Sequence, residues 1–306
     1  MKKTLLPLMA LAAVLLSATG AAAPLNKALV PADAKWVFHA DFEAFIAGQL
    51  GQLVKAEALR QHQPQVDAMK ALLGCDLTAD IHSLTVFGPD ADETNAAALI
   101  AGKFDRQKLL ALLALNPAYA ESAHNGQTVY HWLDEKRDKE QVGAFAADNL
   151  IVISQTENAV TAALDVLAAK GACLANSQTA PLWAMTEGTQ GAFVVIAADT
   201  LSELTLNNGH AAVLQNSRSM AIVADEVEGS LRLAVHLEAN TVEAAIQVEQ
   251  VARGMLAFAM LQQEKHPELT PLIQACNLVR TDDRLAFEFR YPSADLFALI
   301  KTHAPK

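Results

Sequence analysis

The stretch WVFHAD at residues 36–41 recurs in outline as VVIAAD at residues 194–199. Both stretches are mainly apolar and end in aspartate. Apolar runs rich in β-branched and aromatic residues favour buried strands, and an aspartate directly after a strand can cap a helix by accepting hydrogen bonds from exposed backbone N–H groups. A strand that runs into a capped helix therefore opens each half of the chain, which indicates an internal duplication.

Three later pairs of stretches keep the same order with almost constant spacing. The spacing is 136 residues for the first pair and 135 for the other two. The pairs are SLTVF (83–87) with SMAIV (219–223), LIAGKFD (99–105) with AVHLEAN (234–240), and DNLIV (148–152) with DRLAF (283–287). Neighbouring strands joined by short Asp-Asn or Asp-Asp turns favour antiparallel sheets. We therefore predict an α+β fold of two tandem repeats of antiparallel strand pairs, with helices packed on one face.

The matched stretches divide the chain into three parts. Residues 1–23 form a separate leading segment, residues 24–172 the first α+β repeat and residues 173–306 the second. The first repeat gains a helical stretch at 45–73, which Pro64 should interrupt because proline removes a helical hydrogen bond.

Each repeat also carries an extension of its own. The first has an extra hairpin at 119–134, with Asn125-Gly126 as its turn. The second has a long helix from Thr241 to about Glu264, with Asn240 predicted at its N-cap. Its stretch 254–261 is apolar on all sides, which predicts deep burial.

The leading segment 1–23 has the pattern of a removable export signal. Two lysines precede an apolar core of about a dozen residues, and small residues follow it. That core is shorter than the about 20 residues of a membrane-spanning helix. We therefore predict an exported protein, periplasmic or extracellular, with no membrane span after signal removal. An uncleaved N-terminal anchor is the alternative.

Charge and cysteine content limit the partners. The chain has 34 acidic and 23 basic side chains, and loss of Lys2 and Lys3 with the signal leaves a net charge of about −13. Such a chain repels phosphate backbones, so nucleic acid is excluded as a partner and anionic lipid is disfavoured. Cys75, Cys173 and Cys276 lie far apart and can form at most one disulfide; buried free thiols are the simpler prediction.

His39 and Asp41 are the weak catalytic candidates. They lie two residues apart on a strand, so they could share a face and hold a metal or a proton. Asp41 recurs as Asp199 at a helix start, however, and His39 recurs as Ala197. Helix capping explains the aspartates, and we predict no metal site.

Two pairs of residues are weak ligand-binding candidates. Tyr130 and Trp132 alternate along a strand and should share one face, where they could stack on a sugar or pack against a helix. Met255 and Phe258 could line a pocket for a lipid-like ligand or belong to the core. The mixed charges at 134–140 indicate a solvated loop.

No sequence-local catalytic motif is present, and no cofactor is predicted. H-E-x-x-H, G-x-S-x-G, a Walker loop and G-x-G-x-x-G are all missing. The sequence favours a non-enzymatic protein that binds or scaffolds another envelope or extracellular component. A carrier of an apolar small molecule, or a hydrolase whose residues converge only in the fold, are the alternatives.

The stretches PADAKWVFHAD (31–41), GKFD (102–105) and RYPSADL (290–296) together resemble an uncharacterised family of predicted exported proteins, common in bacteria of the planctomycete and verrucomicrobial group. The resemblance covers nearly all of the mature chain. It implies export and a duplicated architecture, and it implies no activity, cofactor or catalytic residue.

Overall fold

The computed structural model describes residues 24–176, 191–198, 201, 215–263, 267 and 269–303. Strands and helices alternate irregularly within these residues. The strands are β1 Trp36–Asp41, β2 Ile81–Gly88, β3 Ala97–Gly102, β4 Ala120–His124, β5 Gln127–Asp134, β6 Lys139–Ala147, β7 Leu150–Ser154, β8 Phe193–Ala198, β9 Ser217–Val227, β10 Ser230–Ala239, β11 Cys276–Thr281 and β12 Arg284–Pro292. The helices are α1 Phe42–Ala47, α2 Gln49–Leu73, α3 Arg106–Leu113, α4 Glu157–Leu167, α5 Val242–Leu261, α6 Leu269–Gln274 and α7 Ser293–His303.

All the described strands join one antiparallel sheet of 12 strands. Its order is β11-β12-β10-β9-β8-β1-β2-β3-β7-β6-β5-β4. The predicted mixture of helices with antiparallel strand pairs is confirmed. The two predicted segments meet at β1 and β8, which pair from Trp36 opposite Ala197 to Ala40 opposite Phe193. The two predicted segments of the chain therefore share a single sheet.

Helices cover both faces of this sheet, so the prediction of helices on one face is wrong. Ala221 on β9 belongs to the main buried cluster and pairs with His236. The next residue on β10, Leu237, packs beneath α5 in a second cluster. Successive side chains on a strand point to opposite faces, so these clusters lie on opposite sides. Uniformly apolar strands such as β8 are typical of a sheet covered on both faces.

The two faces carry different helices. Helix α4 packs on one face through Val160, Ala163 and Leu164, which join the main cluster. Helix α5 lies on the other face and buries Ala244, Ala245 and Val248 against the second cluster. We refer to these as the α4 face and the α5 face of the sheet.

Several local signals in the sequence are confirmed. Asp41 and Asp105 cap α1 and α3 by accepting from backbone N–H groups three residues later. The Asn125-Gly126 turn has positive φ at both residues, as a two-residue hairpin requires. Helix α2 is kinked at His62, two residues before Pro64.

The predicted N-cap of α5 is wrong by one residue. Thr241 caps the helix, since its Oγ1 accepts from Ala244 N at 3.1 Å. Asn240 instead donates its backbone N–H to Asn216 O at 2.9 Å. It is therefore held to the chain just before β9, at the end of the sheet.

The predicted burial of 254–261 is also wrong. Fully buried side chains of α5 end at Val248, whereas Met255, Phe258 and Leu261 are 50%, 64% and 78% exposed. The helix has 20 residues and is about 30 Å long. Its buried contacts with the strands are concentrated in its first half, so the apolar second half presents side chains to solvent.

The junction of β1 and β8 gives a stability prediction. Ile196 on β8 is 1% exposed and pairs with Val37 on β1. We expect Ile196→Ala to lower the free energy of unfolding by about 2–5 kcal/mol, because it leaves a cavity. Val279→Ala on edge strand β11, where the side chain is 50% exposed, is the control and should change it by less than about 0.5 kcal/mol. Equal effects in urea titrations would contradict a continuous core across this junction.

Candidate ligand-binding groove

The weak catalytic candidates His39 and Asp41 are both buried and hydrogen-bonded within the fold. His39 is 2% exposed, and its Nδ1 lies 2.9 Å from Thr85 Oγ1 on the neighbouring strand. Asp41 is 1% exposed, and its Oδ1 accepts from Ala44 N at 2.9 Å as the cap of α1. Within the described ranges, no three His, Cys, Asp or Glu side chains are placed to hold a metal ion.

The three cysteines are free thiols. Cys75 is buried, and Cys173 and Cys276 are half-buried. Burial raises the pKa of the Cys75 and Cys276 thiols, with carboxylates adding to the effect at Cys75. A raised pKa leaves less of the reactive thiolate, so the structure gives these two cysteines no sign of nucleophilic activation.

One serine, histidine and glutamate do converge from distant positions, between hairpin β4–β5 and α4. Ser122 Oγ donates to Glu157 Oε1 at 2.8 Å and lies 3.0 Å from His131 Nε2. His131 Nε2 lies 3.8 Å from Glu157 Oε2. In a hydrolytic triad the acid holds the ring nitrogen that faces away from serine. Here both groups approach the same nitrogen, so the arrangement does not make His131 an oriented base.

A second polar contact ties the same hairpin to α4. His124 Nε2 lies 2.8 Å from Asp165 Oδ1, and Asn125 Nδ2 donates to that oxygen at 2.8 Å. Glu157 and Asp165 are eight residues apart, so they lie on one side of α4. Together with Ser122 and His131, these contacts fix the hairpin at the sheet edge.

The other side of the hairpin faces α3 and forms a cavity. Tyr130 and Trp132 share one face of β5, as predicted, and His131 points to the opposite face. Leucines of α3 lie over them and border a half-open cavity of about 180 Å³. The lining residues are Leu109, Leu110, Leu113, Tyr130, Trp132, Gly143, Ala144, Phe145, Ile151 and Ile153. We call this space the α3 cavity; it lies on the α5 face of the sheet.

A side-chain cap begins α3, and a double polar contact just beyond its end ties it to the strands. At its start, Asp105 Oδ1 accepts from Lys108 N at 3.0 Å. Just beyond its end, Asn116 Nδ2 donates to Leu133 O at 2.9 Å, and Asn116 Oδ1 accepts from Leu133 N at 3.2 Å. This double contact with β5 fixes the separation between helix and sheet, and so the size of the cavity.

Gly143 makes room for the indole of Trp132. A Cβ at residue 143 would lie 3.1 Å from the Trp132 ring and 3.0 Å from Val152 O. Both distances are tighter than ordinary contacts, and the backbone oxygen cannot move aside. The glycine thus allows the ring to lie close against the sheet as a wall of the cavity.

An open groove of about 720 Å³ adjoins the cavity. Trp132 and Ile153 border both spaces. The groove has an apolar side and a charged rim. Its lining residues are Leu112, Leu115, Asn116, Pro117, Trp132, Leu133, Asp134, Glu135, Lys136, Gln141 and Ile153.

Aromatic packing makes Tyr130 part of the wall. Its ring stacks with Tyr119 at 6.5 Å and meets Phe145 edge-on at 6.3 Å. Only 6% of Tyr130 is exposed, so its face is not free to stack on a sugar ring. Packing against a helix, the other interpretation of the Tyr130–Trp132 pair, is what the structure contains.

Met255 and Phe258, the second pair of ligand candidates, line neither space. Both are exposed on the second half of α5. The residues that complete the cavity, above all the α3 leucines and Phe145, were not predicted from the sequence. Two signals were available: leucines at 109, 110 and 113 directly after a capped helix start, and a glycine inside strand β6.

Comparison with known proteins gives a fold and nothing more specific. No protein-family model and no curated protein sequence matches the chain. Among solved structures, crystal form III of TP0453 is similar at a TM-score of 0.52 and 11% identity, covering 93% of this chain and 100% of that one. Crystal form I has a TM-score of 0.48 at 12% identity, covering 92% and 98%. At this identity, the similarity to form III is one of fold alone.

A further finding concerns the helices in the described part of the chain. None of them combines the length and the apolar character that crossing a bilayer requires.

Asp165 gives a pH-dependent prediction. The hydrogen bond from His124 is the main cause that holds the pKa of Asp165 below its ordinary 3.8. A carboxyl with a lower pKa in the folded state stabilises the fold above the unfolded pKa, and this effect is lost as the pH falls through the folded pKa. We therefore expect Asp165→Asn to lower the free energy of unfolding at neutral pH, by a difference that shrinks as the pH falls below 3.8.

Urea titrations over this pH range measure the free energy of unfolding and so test this prediction. Asp138→Asn, in the exposed turn between β5 and β6, is the matched control and should show no such trend. A difference between Asp165→Asn and the wild type that persists undiminished at low pH would show that the contact is not ionic.

Proposed function

We propose that the protein is an exported, non-enzymatic binding protein that holds a small apolar ligand group in the α3 cavity. The supporting observation is the cavity of about 180 Å³, lined by apolar side chains and bordered by an open groove. Engineered cavities of about 150 Å³ lined by leucine, isoleucine and phenylalanine stay dry and bind benzene. A ring or short alkyl group of similar size fits the α3 cavity.

The lining of the cavity supports binding rather than turnover. Its residues include no histidine, cysteine or carboxylate that could serve as base or nucleophile. Its polar atoms belong to Tyr130, Trp132 and the backbone. Such a site can fix the orientation of a ligand but offers no group to break its bonds.

We also infer that residues 24–172 and 173–306 are tandem repeats. From the centre outward, the first segment runs β1-β2-β3-β7-β6 and the second β8-β9-β10-β12-β11. A helix follows the third strand of each series, α3 in one and α5 in the other. Hairpin β4–β5 has no counterpart among the described strands of the second segment. It forms one wall of the α3 cavity, which supports a ligand site specific to the first repeat.

Export is the part of the proposal that rests on sequence. The signal at residues 1–23 lies outside the described residues, and the periplasmic or extracellular location follows from its pattern. The family resemblance points the same way.

Benzene is the probe for the cavity. A ligand that binds only the folded state raises the melting temperature in a saturable manner. We expect benzene to do so for the wild type, and we expect Leu113→Phe to abolish the rise because the added ring fills the cavity. Leu72→Phe on α2 is the matched control, since its side chain is 50% exposed and does not line the cavity.

Calorimetry distinguishes the outcomes. The proposal is wrong if the wild type shows no saturable heat or thermal shift with benzene. It is also wrong if Leu113→Phe, melting as a cooperative fold, keeps the same benzene affinity as Leu72→Phe.

A second candidate function is contact with another envelope protein through α5. Val251, Met255 and Phe258 are exposed at spacings of four and three, which places them in one stripe on the helix. The nearby charges are occupied within the chain, because Glu249 pairs with Arg253 and Arg280. An uncharged apolar stripe is typical of a helix that docks on a protein surface.

Site-specific photocrosslinking in the producing cells tests this candidate. A photoreactive phenylalanine analogue in place of Phe258 should give one discrete adduct of protein mass. The same analogue at Val279, an equally apolar exposed position on β11, should give none. The docking candidate fails if both positions crosslink alike, or if neither does.

A further inference from the structure

Arg106 differs from every other arginine of the chain. The others each approach a carboxylate at 2.5–3.8 Å; they are Arg60, Arg137, Arg218, Arg232, Arg253, Arg280, Arg284 and Arg290. Among the residues that the structure describes, no carboxylate lies within that distance of Arg106. This is unusual in a chain with 34 acidic side chains, where carboxylate partners are plentiful.

The guanidinium of Arg106 instead lies beside the α3 cavity. Its central carbon is 4.9 Å above the Phe145 ring, and its Nη2 donates a long hydrogen bond of 3.5 Å to Tyr130 Oη. Phe145 and Tyr130 both line the cavity. An exposed cation therefore stands next to a space whose own side chains carry no charge.

The geometry leaves this cation free to bind an anion. Contact with the Phe145 ring uses the flat face of the guanidinium, and the N–H groups lie in its plane. Two parallel N–H donors match the two oxygens of a carboxylate or phosphate. The phenolic O–H of Tyr130 is a further donor close by.

We propose that the ligand is an amphipathic oxyanion, with its short apolar part in the α3 cavity and its carboxylate or phosphate paired with Arg106. This inference rests on the proposed function, because it requires that the cavity holds an apolar group. It adds the charge of the ligand and the residue that recognises it. In a chain that is acidic overall, Arg106 supplies a local positive charge for such a ligand.

Three six-carbon probes separate the contribution of the apolar chain from that of the charged head group. They are hexanoate, hexyl phosphate and hexan-1-ol. Their dissociation constants are measured by calorimetry in 0.15 M salt, where distant charges are largely screened. We expect at least one anion to bind the wild type about fivefold or more tightly than hexan-1-ol, within the range of charge-assisted hydrogen bonds. The anion with the larger advantage identifies the head group.

Arg106→Gln should remove the advantage of the anion and leave the affinity for hexan-1-ol unchanged. Retained binding of hexan-1-ol also shows that the variant is folded with its cavity intact. Arg290→Gln is the matched control, since Arg290 is exposed and pairs with Glu228 far from α3, and it should leave all three affinities unchanged. Arg106→Lys keeps the charge but not the paired donors, and should keep only part of the advantage.

The failures are distinguishable. If hexan-1-ol binds but neither anion binds more tightly, the oxyanion inference is overturned and the proposed function stands. If the advantage survives in Arg106→Gln, Arg106 is not the partner and the inference is also overturned. If none of the three probes binds the wild type, the proposed function is wrong, and the inference that rests on it is wrong as well.

Discussion

The pairing of β1 with β8 is the constraint on which the rest of the structure depends. Each of these strands starts a run of antiparallel neighbours, and their own pairing joins the two runs into one sheet. A central strand of such a sheet has no solvent-facing side, so both faces need apolar cover. Helix α4 covers one face, and α3 and α5 cover the other, at opposite ends. The space beneath α3 lies where this eight-residue helix covers β5, β6 and β7.

Elements that depend on local chemistry could be predicted from the sequence. Strand β1 has the predicted bounds, and the aspartate that ends it caps the next helix. The Asn125-Gly126 turn fixes the register of β4 and β5, and alternation along β5 gives Tyr130 and Trp132 a shared face. Turn residues, caps and alternation act within a few positions, so one sequence is enough to recognise them.

Features that depend on distant contacts could not be predicted. The apolar stretch at 254–261 has the composition of a core helix, yet no strand lies beneath enough of it to bury Phe258. Burial depends on the position of a helix relative to the sheet, and amino-acid composition does not specify that position. The α3 cavity also depends on distant contacts. Its size is set by the contact between Asn116 and Leu133, residues of separate elements. The lack of a carboxylate beside Arg106 among the described residues is visible only in the folded structure.

The width of the sheet bears on how its two apolar surfaces can be used. The α3 cavity over β6 and helix α5 over β12 are separated by eight strand steps on one face, or about 40 Å at the usual strand spacing. At the average twist of roughly 20–25° per strand, those steps would turn the sheet by about half a revolution. The two surfaces would then look in nearly opposite directions. A molecule docked at one end would then not contact a molecule docked at the other.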